Sequence, residues 1–206
     1  MHLYEDLVAI KRSQKLLEAI ARRDRVLNSQ NRIRGVKARR GDGTFGQIIP
    51  GEVPIIDEGY IVARGPLATV EIGVEVKILA KAMIKQIDRV INDLRNQAGQ
   101  FRHGGGNPIC IGIVGINQAE RYVSYEGGQA FPTTGRGGFV HPCQEAAEAA
   151  RRLRAEAADA YGEFLVLPFC ATNEPPWPFG WVSLKETNLD YAAALTRTSA
   201  KYQERF

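Results

Sequence analysis

The sequence predicts an α/β fold, a central mixed β-sheet flanked by helices on both faces. Three observations carry that prediction. The strand-like run Val70–Ile78 (VEIGVEVKI) leads directly into an amphipathic helical segment. Residues 108–116 (PICIGIVGI) are continuously apolar, as central strands buried on both faces are. An Ala-rich helical stretch then precedes another apolar strand, EFLVLPFCA. Strands alternating with helices in this way place helices over the sheet.

Leu3, Leu7, Ile10, Leu17 and Ile20 recur at helical spacing and predict one helix from 3 to about 27. The Gly- and Pro-rich stretch that follows reads as a strand or two with exposed turns. Within it GDGTFG, residues 41–46, matches GxGxxG without lying between a strand and a helix, and so reads as a turn. Two strands, 55–63 and 68–79, are expected around a turn at Arg64-Gly65-Pro66. Ile84, Ile87, Ile91 and Leu94 mark the apolar stripe of the next helix, with Lys81, Lys85 and Arg89 elsewhere on its surface. FRHGGGN stops it. Residues 117–142 are irregular, 143–160 helical and 163–171 a strand. The rest forms proline turns, with Trp177 and Trp181 packing the tail on the domain, and a short helix. The chain reads as one domain, 1–206, with a basic N-terminal helix 3–27 and an aromatic, helical tail 173–206.

Composition narrows the class. Hydrophobic residues make up 44% and charged residues 24%, as in soluble globular proteins. No apolar run has the length of a membrane span, and the N-terminus is amphipathic, unlike a signal peptide. Cys110, Cys143 and Cys170 are scattered, which suits reduced thiols in the cytoplasm. Residues 1–40 hold eleven Lys/Arg against four Asp/Glu, although the whole chain is only +4. The excess peaks over 22–40 and points to a polyanion, with Arg32, Arg34, Lys37, Arg39 and Arg40 as phosphate contacts.

Alternation along 70–78 puts Val70, Ile72, Val74, Val76 and Ile78 on one buried face. Glu71, Gly73, Glu75 and Lys77 share the other. Pairing with the preceding strand would bring Asp57 to the same end as Glu75. Two carboxylates and a lysine at short range suit a hard divalent cation, which favours carboxylate oxygens. The alternative is a solvent-exposed sheet face on which Glu and Lys merely pair.

The order helix, strands, Asp57-x₁₇-Glu75-Val76-Lys77, helix, strand, helix, strand resembles the PD-(D/E)XK nuclease superfamily over residues 1 to about 172. The resemblance implies a restriction-endonuclease-like fold and a Mg²⁺-dependent DNA endonuclease, with Mn²⁺ as a substitute metal. It implies that Asp57, Glu75 and the Val76 carbonyl hold the metal while Lys77 positions the attacking water. Lys81, Lys85 and Arg89 would contact phosphate nearby. Two departures stand out: Ile56, not Pro, precedes Asp57, and the QxxxY pattern fails because Val90 follows Gln86 by four residues. Cutting both strands of a duplex would call for a C₂ homodimer. The rival expectation is a non-catalytic nucleic-acid-binding or assembly protein on the same scaffold.

Overall fold

A computed structural model describes residues 2–29, 43–66, 68–103 and 106–206. The expected first helix is two helices, α1 (His2–Ala9) and α2 (Gln14–Arg22). Lys11 turns left-handed between them (φ 52°), and Ser13 Oγ accepts the Leu16 N–H to start α2 afresh. Arg23, also left-handed, ends α2, so the chain from Arg25 is already strand β1 (Arg25–Asn28).

The described strands continue with β2 (Gly43–Gln47), β3 (Arg64–Gly65), β4 (Ile72–Leu79), β5 (Ile109–Asn117), the hairpin β6 (Val123–Glu126) and β7 (Gln129–Pro132), β8 (Glu163–Ala171) and β9 (Phe179–Trp181). Seven of them form one mixed sheet in the order β3-β1-β2-β4-β5-β8-β9. β4, β5 and β8 are mutually parallel, whereas β2 is antiparallel to both β1 and β4. The helices α3 (Met83–His103) and α4 (Pro142–Glu156) carry the crossovers from β4 to β5 and from β5 to β8. They bury Ile87, Leu94, Phe101, Ala149 and Leu153 against one face of the sheet. The other face is covered by α1, α2 and α5 (Leu184–Arg205), through Leu7, Leu16, Leu195 and Tyr202. The α/β class and the helices on both faces thus stand. Among the described residues no helix is long and apolar enough to cross a membrane.

Several local expectations need correcting. Gly43–Gly46 is not a turn but part of β2, with Phe45 wholly buried. No strand spans 55–63; a single bridge joins Ile55 to Arg64, and β3 pairs with β1 instead of with β4. Ile84 is 38% exposed, and the apolar face of α3 runs through Met83, Ile87, Val90, Ile91 and Leu94. The tail helix is long, because α5 buries Ala194, Leu195 and Tyr202 in a core layer. Trp177 is 59% exposed and departs from the packing expected of it, whereas Trp181 on β9 meets the Phe179 ring edge-on at 5.2 Å.

Candidate functional site

β4 lies inside the sheet and is covered on both sides for its first half. Ile72 and Val74 are buried beneath α1, α2 and α5. Gly73 faces α3, where an added Cβ would stand 2.6 Å from the Phe101 ring. Glycine therefore lets the helix close down on the strand. Farther along, Val76 and Ile78 are 37% and 62% exposed, which corrects the expectation that this whole face is buried.

Glu75 and Lys77 follow Gly73 on the α3 side, and Leu79 continues that face into the core. Lys77 Nζ lies 2.5 Å from Glu75 Oε1. The Glu75 side chain is buried and that of Lys77 is 32% exposed, so the pair reaches from the interior to the surface. Tyr161, behind this site, donates its hydroxyl to the Leu94 carbonyl (2.8 Å). Burial raises its pKa above the ordinary tyrosine value, and the Glu75 carboxylate adds to that rise. On the other flank of β4, the described pairing with β2 ends at Gly43 opposite Val74, one residue before Glu75.

Glu71 does not join this group. The chain bends at Glu71, before β4 begins, and the alternation slips there. Its carboxylate turns to the α5 side and accepts Arg25 Nε (2.6 Å) and Tyr202 O–H (2.5 Å). Asp57 does not join it either. Arg64 Nη2 donates to Asp57 Oδ1 at 2.5 Å, and Arg64 Nε lies 2.5 Å from Oδ2. Arg64 belongs to β3, and β1 and β2 stand between β3 and β4. Three strand spacings come to roughly 14 Å. The expected convergence of Asp57 and Glu75 fails because it required the strands flanking Gly65 to pair with one another.

Among the described residues no three His, Cys, Asp or Glu side chains gather into a group able to hold a metal ion. Glu75 has Lys77 beside it, and Asp57, the third member the resemblance implies, is paired with Arg64 instead. Arg32, Arg34, Lys37, Arg39 and Arg40 lie outside the described residues. Lys85 and Arg89 are exposed on α3, and Lys81 precedes that helix, half-buried. Lys85 and Arg89 sit one turn apart on α3, whereas the left-handed Ala82 (φ 46°) separates Lys81 from the helix.

No family model matches the chain, no curated protein matches it, and no solved structure matches it. The functional reading therefore rests on the residues themselves.

The sequence pattern did not reveal what lies beyond β4. Lys81, Ser124, Glu126 and two tyrosines meet at the carboxyl ends of β4 and β8. Most of these residues come from the stretch read as irregular, where no periodicity marks them.

Proposed function

We propose that the chain is a nuclease of restriction-endonuclease-like fold that hydrolyses DNA phosphodiester bonds at Glu75 and Lys77. One observation carries the reading: a buried carboxylate and a partly exposed lysine, two positions apart in sequence, meet at 2.5 Å on an interior strand of a mixed sheet. The order of elements supports the same reading, with helices, then β1 to β4, then α3, β5, the β6–β7 hairpin, α4 and β8.

In this reading Lys77 orients the attacking water and donates to a phosphate oxygen, where negative charge grows as water adds to phosphorus and the P–O bond to the leaving sugar oxygen breaks. Glu75 holds the lysine in place and keeps a fixed negative charge beside it. Mg²⁺, when bound, would offset charge on the phosphate. Glu75 is the carboxylate the described site offers it, and Asp57 is not placed to be the second. Lys81, Lys85 and Arg89 supply cations along the outer surface. DNA, a homodimer and a cytoplasmic location belong to the same proposal.

That no second carboxylate stands beside Glu75 among the described residues favours one other reading, a DNA-binding protein that does no chemistry. Incubating supercoiled plasmid with the protein and Mg²⁺ or Mn²⁺ separates the two. Cleavage that chelator and Glu75→Gln both abolish is the expected result. Binding without cleavage, in either metal, would leave the non-catalytic reading.

A further inference from the structure

We infer that the cleft at the carboxyl ends of β4 and β8 is a nucleobase-binding site that takes an unstacked base from the strand held at Glu75 and Lys77. The inference rests on the nucleic-acid reading above and goes beyond it. The cleft has a volume of about 350 Å³ and is walled by Lys81, Gln86, Tyr122, Ser124, Tyr125 and Asn173. Ile78 and Ala80 also line it, so the cleft lies at the same end of β4 as Lys77.

Its chemistry is that of a flat ring with a polar edge. Tyr125 is 51% exposed, which leaves a phenol ring open for stacking. Beside it Lys81 Nζ donates to Ser124 Oγ, and Ser124 donates to Glu126 Oε1 at 3.0 Å. A cation, a hydroxyl and a carboxylate in a row offer both donors and acceptors to the edge of a base.

The walls are held in place before any ligand arrives. Asn117 Nδ2 donates to the carbonyls of Ala80 and Ala171, tying together the ends of β4, β5 and β8. Asn173 Nδ2 donates to the Val123 carbonyl at 2.9 Å and fixes β6 over them. Ala82, next to the lining residue Lys81, has a left-handed backbone, φ 46°. Such conformations persist only where the surroundings impose them. The volume alone would also admit a free mononucleotide. Lys85 and Arg89, exposed one turn apart on α3, which begins just beyond Lys81, favour a strand, whose phosphates they can contact.

The test uses full-length Glu75→Gln protein, so that any cutting does not consume the probe. Single-stranded oligonucleotides carry 2-aminopurine at successive positions, and a 2-aminopurine mononucleotide serves as the second probe. Position-dependent quenching is expected, with about a tenfold loss of affinity in Tyr125→Ala and little loss in Tyr125→Phe. Quenching of the strand alone supports the strand as ligand. Quenching of the mononucleotide equally well keeps the base site and removes the strand. Quenching at no position, or quenching that Tyr125→Ala leaves intact, overturns the inference. Plasmid cleavage by the parent protein that is indifferent to Tyr125 counts against the cleft and not against the nuclease. A Tyr125-dependent signal in a protein that never cuts does the reverse.

Discussion

Lys77 Nζ sits 2.5 Å from Glu75 Oε1, with the glutamate buried and the lysine open to solvent on one side. The two are therefore unequal as targets for substitution. Lys77→Met strands a carboxylate in the interior, a change that costs several kcal/mol when a pair is fully buried. One-third exposure of the lysine reduces that to about 1–3 kcal/mol. Glu75→Gln leaves an exposed-side cation that water can solvate, and should cost less. Combining the two should cost less than the sum of the single changes. Urea denaturation of the three proteins measures this, and equal losses of a few tenths of a kcal/mol would restore the solvent-exposed-face description of β4.

Glu71 provides the contrast. Its carboxylate satisfies Arg25 and Tyr202 at once, tying α5 and β1 to the start of β4. Glu71→Gln removes the charge that both donors face, and about 1–3 kcal/mol of stability should go with it. Any DNA cleavage, assayed well below the melting temperature, should survive. Loss of cleavage in a folded Glu71→Gln protein would put this residue in the site, against its placement on the α5 side.

What could be read in the sequence followed periodicity. The apolar run of β5 and the apolar residues of β8 announce buried strands, and Ile87, Ile91 and Leu94 announce the inner face of α3. Glu75 and Lys77 were legible as neighbours because alternation depends only on the strand being a strand. Asp57 was not, because its position depended on which strands pair across Gly65, a non-local choice with no local signature. The break at Lys11–Ser13 turned on one left-handed residue and one cap inside an otherwise helical pattern. The cleft residues Tyr122, Ser124 and Tyr125 sit in a hairpin whose side chains are mostly exposed, so no burial period points to them.

Asp57 makes a sharp test of the nuclease proposal. Bound to Arg64 and three strands from Glu75, it should be replaceable: Asp57→Asn should lose under 1 kcal/mol of stability and keep cleavage within a few-fold. Asp42, which precedes Gly43 in the sequence and lies outside the described residues, supplies the comparison variant. A thousand-fold loss in folded Asp57→Asn, with Asp42→Asn unaffected, would return Asp57 to the site and contradict the strand order.

The tyrosines predict how stability responds to alkali. Burial raises the pKa of Tyr4, Tyr161 and Tyr202 above the ordinary value near 10, and at Tyr202 the bond to the Glu71 carboxylate raises it further. A group held protonated by the fold contributes its stability in full below its unfolded pKa and loses it as pH climbs toward the folded one. The window therefore opens near pH 10, where the unfolded phenol starts to ionise and the folded one does not. For one such group the loss reaches about 1.4 kcal/mol by pH 11. Tyr202→Phe cannot ionise at this position. It should be less stable than the parent at pH 7, by the lost hydrogen bond to Glu71, and its deficit should shrink by about that amount between pH 9 and pH 11. Every other titrating group is common to both proteins and cancels in the difference. Guanidinium melts of parent and variant at pH 7, 9, 10 and 11 give the curve directly, and a deficit that stays constant over the range would mean that Tyr202 ionises in the folded protein as it does in the unfolded chain.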